Sequence, residues 1–403
     1  MKAVLRSATS IGTATAVGPA LEEAGTSARV LTEVAAPREL SADGSHGGAA
    51  EARGLPAGVG LLGRLEGICA GRGLESLASR LDDMVSFVGL DLASFEAEFA
   101  ALPRRDALVG LAGGHLLDLG GKRLRPMCLS LAARLGSGFD PRVLDLAVAV
   151  ELVHSATLLH DDVVDLADTR RGEPAARSIY GNAASIFAGD WLLVEALRRV
   201  RRAGIPGLLD GLLDTIEEMI FAESIQLENR GRIDLGRDGY FNVVVGKTAS
   251  VFRWAMTAGS RAGGLDDRAQ TALAAFGEHL GITFQAVDDL LDFTGDAGRT
   301  GKRLFADLRE GKMTLPLILA LERADDLEPT VRRIVELPGE EEVPAELADR
   351  VVDALVATGA NEDTLSIARD HSARAIANLR SVPDSRARRA LETVAETIVD
   401  RDL

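Results

Sequence analysis

An all-α single domain is predicted over residues 73–403 of this chain, on three observations. Apolar residues recur there at spacings of three and four, the period of a helix with one buried face. No run alternates polar and apolar residues for long enough to make a strand. Asp140 followed by Pro141 supplies an N-cap and a first-turn proline, which start a helix of about 25 residues ending in a cluster of aspartates.

Taken in order, the first helical pattern is LESLASRLDDMVSFV, at 74–88. GGKRLRP at 120–126 reads as a glycine-containing loop whose Pro126 fits the first turn of the next helix. The segment LAVAVELVHSATLLHDDVVD, at 146–165, is nearly all apolar in its upper part, so it belongs in the middle of a bundle. Helical periodicity returns in AASIFAGDWLLVEALRRV (183–200), LLDTIEEMIFAESIQL (212–227) and YFNVVVGKTASVF (240–252). It continues in LAAFGEHLGITFQAVDDLLDF (273–293), MTLPLILALERA (313–324) and ALETVAETIVDRDL (390–403). Between two of these lies GKRLFADLREGK, a charged loop that reads as a candidate lid.

Residues 1–72 are rich in Ala, Gly, Ser and Thr and show little sustained periodicity, so they are expected to be a disordered extension, with an organellar targeting remnant as the alternative. The formal charge of −16 argues against nucleic acid or an anionic membrane surface as the main partner. Cys69 and Cys128 show neither zinc spacing nor a disulfide framework, which points to a reducing, cytoplasmic location. No apolar run is expected to reach the length of a membrane span.

The chemistry is concentrated in two acidic clusters. Asp161, Asp162 and Asp165 form D-D-x-x-D, and Asp161, Asp165 and Asp168 would share one helix face. A single such motif is weak, because an acidic chain makes it by chance as a solvated helix face. A second copy, Asp288, Asp289 and Asp292, changes the reading, since the pairs Asp82-Asp83, Asp266-Asp267 and Asp325-Asp326 all lack the third aspartate. The copies are too far apart for one helix, so two helices must present them across a shared space. Oxygen-only ligands favour a hard divalent ion such as Mg2+, which takes its remaining ligands from water and substrate phosphates.

Cationic groups surround these clusters in sequence. Arg170 and Arg171 follow the first, and Lys122, Arg123 and Arg125 lie on the glycine loop, where backbone N–H groups and the helix dipole favour an anion. His154 lies two turns before Asp161 on the same face, either a core residue or part of a second anion site. Lys247 and Thr248 sit in an otherwise apolar helix, so Lys247 must face an anion. Gln285 turns toward the second cluster, and Lys302, Asp307 and Lys312 charge the lid. No serine, cysteine or histidine nucleophile is set up with a base. The sum is a polyphosphate mouth above a greasy interior.

Together these motifs resemble the trans-isoprenyl diphosphate synthases, the polyprenyl synthetase family, over about residues 75–403. The resemblance implies an isoprenoid-synthase bundle of mostly antiparallel helices around a central cavity, usually a homodimer. It implies that Asp161, Asp162, Asp165, Asp288, Asp289 and Asp292 hold three Mg2+ ions on an allylic diphosphate such as farnesyl diphosphate. Arg170, Lys247, Thr248, Gln285 and Lys302 match the allylic site, and Lys122, Arg125, His154 and Arg171 match the isopentenyl diphosphate site. The implied reaction ionises the allylic C–O bond, joins the cation to the double bond of isopentenyl diphosphate and releases a proton, with the freed diphosphate as base. Phe305 departs from the family, which usually has glycine there.

Product length is argued from helix geometry. Thr157 lies one turn below Asp161, with Ala156 and Val153 beside the same path, and none of these is large enough to block a growing tail. A product of about six to ten isoprene units is therefore expected, of the kind used as a quinone side chain. A twenty-carbon product is the alternative, since deeper residues can also set the floor. Phe187 is one candidate floor residue, with core packing as its other reading. A terpene cyclase or a non-catalytic partner subunit fits less well, because the second cluster is a complete D-D-x-x-D and no site residue is missing.

Overall fold

The computed structural model describes residues 75–103, 106–294, 304–338 and 341–400. The expectation of a disordered extension over 1–72 and the Lys302 assignment both lie outside them. Sixteen α-helices occupy the described residues. They are α1 (Glu75–Ala100), α2 (Leu108–Asp118), α3 (Leu124–Arg134), α4 (Pro141–Val164), α5 (Ala176–Tyr180), α6 (Asn182–Ala203), α7 (Leu208–Glu228) and α8 (Arg237–Val244). A π-helical turn (Val245–Ala249) joins α8 to α9 (Ser250–Ala262), followed by α10 (Asp267–Thr294), α11 (Ala306–Arg309), α12 (Leu315–Leu321), α13 (Glu328–Val335), α14 (Ala345–Ala357), α15 (Ala360–Asn378) and α16 (Arg386–Asp400).

The start of α4 is where the sequence placed it. The Asp140 side chain accepts from Arg142 N at 2.8 Å and Val143 N at 3.0 Å, satisfying two of the free N–H groups of the first turn. Leu146, Val148, Val150 and Leu152 are fully buried, covering all sides of the helix, so α4 can only be a core element. It packs mainly on α6, with α3 and α9 on its other sides. One expectation is corrected here: by length and composition α4 is apolar enough to cross a membrane. Its burial is that of a core helix.

Three apolar clusters make the interior. The first joins α4 to α2, α6 and α7, the second joins α1, α3, α10 and α16, and the third joins the end of α10 to α12, α13 and α14. At the crossing of α10 and α15, His279 Nδ1 and His371 Nδ1 are 3.2 Å apart, and the His371 ring stacks on Phe241. Burial, then the neighbouring His279 and Arg374, pushes His371 down to about 4. The unfolded chain therefore takes up a proton on this residue before the folded chain does, and stability falls as pH drops from about 6.5 toward 4. We expect urea denaturation to show a loss on the order of 1 kcal/mol between pH 7 and pH 5, solvent screening of the half-buried ring reducing the effect, and His371→Gln to flatten it.

Among the described residues the one departure from all-helix is a two-residue hairpin, β1 (Thr169–Arg170) and β2 (Glu173–Pro174), paired antiparallel with Arg170 opposite Glu173. Its turn residues Arg171 and Gly172 both have positive φ, 56° and 82°, as a type I′ hairpin requires.

Candidate active site

The acidic motifs lie at the C-terminal ends of α4 and α10, and both reach the same cavity, of about 2680 Å³. Asp161 and Asp165 line it from α4, and Asp288, Asp289 and Asp292 from α10. Carboxylates at the C-terminal end of a helix meet the negative pole of its dipole, so this arrangement is unfavourable without cations. The protein supplies several. Lys247 Nζ lies 3.4 Å from Asp161, while Arg230 and Lys312 both hold Asp165, the lysine at 2.7 Å. Burial opposes the charge on Asp165, but Lys312, Lys247 and Arg230 outweigh it and leave the carboxyl below its usual range.

The end of α4 corrects two expectations. Leu166 adopts left-handed backbone at φ 56°, and Ala167 N bonds back to Asp162 O at 2.9 Å, which closes the helix at Val164. Asp168 therefore lies beyond the helix and accepts from Arg177 Nη1 at 2.7 Å instead of joining the motif's face. Asp162 turns inward, fully buried, and accepts from Arg170 Nε at 2.8 Å, so it does not line the cavity. Burial raises its pKa against the pull of Arg170. These two site residues are thus spent on each other.

Lys122, Arg125, His154 and Arg171, grouped by the resemblance, line the same cavity. The Arg125 guanidinium lies over the Phe252 ring at 4.7 Å, and its Nε has no hydrogen-bond partner. Burial lowers its pKa, with Glu151 opposing. His154 is held far below its usual pKa by burial and by Arg125, Arg171, Arg170 and Arg123, so it is neutral at pH 7. Arg123 is different in kind. It is buried between Glu151 at 2.7 Å and Glu96 at 3.0 Å, and stacks on Phe99, anchoring the glycine loop. Cations crowded round a buried histidine make a site whose chemistry suits an anion.

Lys247 and Thr248 sit in the π-helical turn, where an extra residue in the helix bulges the two side chains toward the cavity. Lys247 Nζ is held by Glu223 and by Gln226 Oε1 at 2.9 Å. Thr248 Oγ1 donates to Gln285 Oε1 at 3.0 Å, and Gln285 Nε2 donates to Asp289 at 2.8 Å. Burial, then Asp307, raises Asp289 to about 7, with the Tyr240 hydroxyl, Gln285 and Leu315 N countering. The bulge also demands room: a Cβ on Gly281 of α10 would stand 2.5 Å from Ala249 Cα. At the lid, Phe305 has φ 61°, the conformation for which glycine is suited, and its ring packs edge-on against Phe293.

Below the mouth the walls turn apolar, with Val153, Thr157 and Leu158 facing Ile216, Met219 and Ile220. Thr157 lines the wall, and its hydroxyl donates to His154 O at 2.8 Å. Ala156 is corrected: it is wholly buried in the core beside α6, one position round the helix from the cavity wall. Phe187 is neither floor nor core, being 59% exposed on α6. Sequence reasoning missed Glu223, Gln226, Tyr240 and Arg230. Glu223 and Gln226 are three apart on one face, and Tyr240 precedes Lys247 by two turns, so spacing could have found these three. Arg230 follows the end of α7, and no helical spacing relates it to Asp165.

Comparison with known proteins agrees with this geometry. The Polyprenyl synthetase family profile matches residues 107–352. The octaprenyl diphosphate synthase of Escherichia coli K12 is 33% identical over 324 residues, covering 80% of this chain and 99% of that protein. Heptaprenyl diphosphate synthase component 2 of Geobacillus stearothermophilus is 35% identical with the same coverage. A crystal structure of a polyprenyl synthase from Caulobacter crescentus, complexed with calcium and isoprenyl diphosphate, superposes with a TM-score of 0.75 at 34% identity, over 80% of this chain and 98% of that one. With its all-α isoprenoid-synthase fold and its paired aspartate helices, this chain belongs to the polyprenyl synthetase family and is a prenyltransferase.

Proposed function

We propose that the protein is an all-trans polyprenyl diphosphate synthase that adds isopentenyl diphosphate repeatedly to an allylic diphosphate, giving about six to ten isoprene units. The observation that carries this is one cavity whose lining joins the carboxylates Asp161, Asp165, Asp288, Asp289 and Asp292 and the cations Lys122, Arg125, Arg171 and Lys247 to the apolar side chains Val153, Leu158, Ile216 and Met219. The named products of its octaprenyl and heptaprenyl relatives support the long-chain reading.

Asp161, Asp165, Asp288, Asp289 and Asp292 are the ligands we assign to Mg2+. Their donor chemistry fits: all are carboxylates. Among the described residues no three His, Cys, Asp or Glu side chains close into a ready cluster. Bound Mg2+ supplies positive charge against the departing diphosphate. Lys247, Thr248 and Gln285, with Arg170 once released from Asp162, orient that diphosphate. Arg125, Arg171, Lys122 and neutral His154 hold isopentenyl diphosphate with its double bond toward the allylic carbon. The allylic C–O bond breaks and frees diphosphate, the allylic carbon bonds to the double bond of isopentenyl diphosphate, and the freed diphosphate takes up the proton whose loss re-forms an alkene. Val153, Leu158 and Ile216 exclude water that would otherwise capture the cation.

A cytoplasmic homodimer is the assembly we assign, with residues 73–403 as the catalytic domain. The exposed apolar residues Phe187 and Val194 of α6 and Phe221 and Ile225 of α7 offer a face that a second copy would cover. The test is purified protein with radiolabelled isopentenyl diphosphate, Mg2+ and farnesyl diphosphate, the products being dephosphorylated and sized. A ladder ending at a long product is expected; a stop at twenty carbons would sink the chain-length reading.

A further inference from the structure

Asp165 is approached from two loops at once. Arg230, on the loop after α7, pairs with Asp165 Oδ1 and also donates from Nη1 to Val164 O at 3.3 Å. Lys312, on the lid, donates to Asp165 Oδ2 at 2.7 Å and to Glu310 at 2.6 Å. The loops also meet directly, Gly231 N donating to Gly311 O at 2.8 Å. The crossing is tight enough that a Cβ on Gly311 would lie 2.9 Å from Gly231 N and from Arg230 Cγ. Arg230 also caps α4 at its negative pole, which adds to its hold. Both oxygens of this carboxylate are thus claimed by cations of the protein, and Asp165, Arg230, Glu310, Gly311 and Lys312 all line the mouth.

We propose that Arg230 is a positioning residue that, with Lys312, holds Asp165 and clasps the lid to the loop after α7, so that a divalent ion must displace Arg230 to reach that carboxylate. This rests on Asp165 being a metal ligand. Mg2+ arriving without diphosphate meets an occupied oxygen. An ion arriving with diphosphate brings a negative partner that Arg230 and Lys312 can take in exchange. The clasp therefore favours loading of metal and allylic diphosphate together over metal alone.

Binding of Mn2+ to the substrate-free full-length protein, followed by electron paramagnetic resonance, tests this. Arg230→Gln should tighten Mn2+ binding about three- to tenfold, the worth of one partly buried ion pair. Arg230→Lys, which keeps the charge, should stay near wild type. Arg177→Gln removes an equal charge from the neighbouring Asp168 and should change binding less than twofold. Hydrogen exchange at residues 304–314 should quicken in Arg230→Gln only. Unchanged Mn2+ affinity in Arg230→Gln, or equal tightening in Arg177→Gln, overturns the proposal. Asp165→Asn separates the two levels: if it weakens Mn2+ binding while Arg230→Gln does nothing, only the clasp fails. Should Asp165→Asn leave binding intact, the ligand assignment itself falls, and the clasp with it.

Discussion

Replacing Lys247 with alanine should lower kcat by about a hundred- to a thousandfold, the usual effect of removing one preorganised charge from a dry site. Lys247 is held by Glu223, Gln226 and Asp161 before any substrate arrives, so its ammonium costs little reorganisation when charge develops on the diphosphate. The side chain is about three-quarters buried, and the π-helical turn fixes its direction. Arginine should restore little, because the longer planar fork cannot take the same three partners. Steady-state incorporation of labelled isopentenyl diphosphate measures the loss. Circular dichroism should be unaltered, and KM should change much less than kcat. A loss under tenfold would remove Lys247 from the catalytic group.

The second large effect is on product length. Thr157→Phe places a ring in the tail path one helical turn, about 5.4 Å, below the level of Asp161. The products should then end at about three to four isoprene units, with the rate of the first condensation within a few-fold of wild type, because the mouth is untouched. Ala156→Phe is the control: that position lies in the core against α6, so the ring would overpack and destabilise the protein by about 1–3 kcal/mol. Chromatography of the dephosphorylated products checks the length, and chemical denaturation checks the stability. An unshortened ladder from Thr157→Phe would show that the tail leaves by another route.

What the sequence made legible was whatever depends on periodicity. The span of α4 follows from Asp140, Pro141 and a largely apolar run, and Asp161, Asp165, the second aspartate motif, Lys247, Thr248 and Gln285 all line one cavity. The failures have a common cause, which is that helix ends and loops are set by contacts distant in sequence. Leu166 ends α4 without the glycine that would announce it, so Asp168 read as a third carboxylate of the face that carries Asp161 and Asp165. Asp162 could be placed 100° round the helix from Asp161, but its capture by Arg170 depends on a hairpin whose type I′ turn holds an arginine in place of asparagine. Arg230 was invisible because its partner carboxylate belongs to another helix end.

The non-glycine residues with left-handed backbone among those described are Arg123, Leu166, Arg171 and Phe305, and every one lines the cavity. Each costs about 1–2 kcal/mol of stability relative to a residue at ease there. Selection for thermal tolerance alone would thus be drawn to glycine at these positions. Such variants would lose a guanidinium, the Phe305 ring or the fixed end of α4, and so would gain heat resistance at the expense of turnover. Directed evolution of this enzyme is better aimed at α13 and α16, which contribute no residue to the cavity lining.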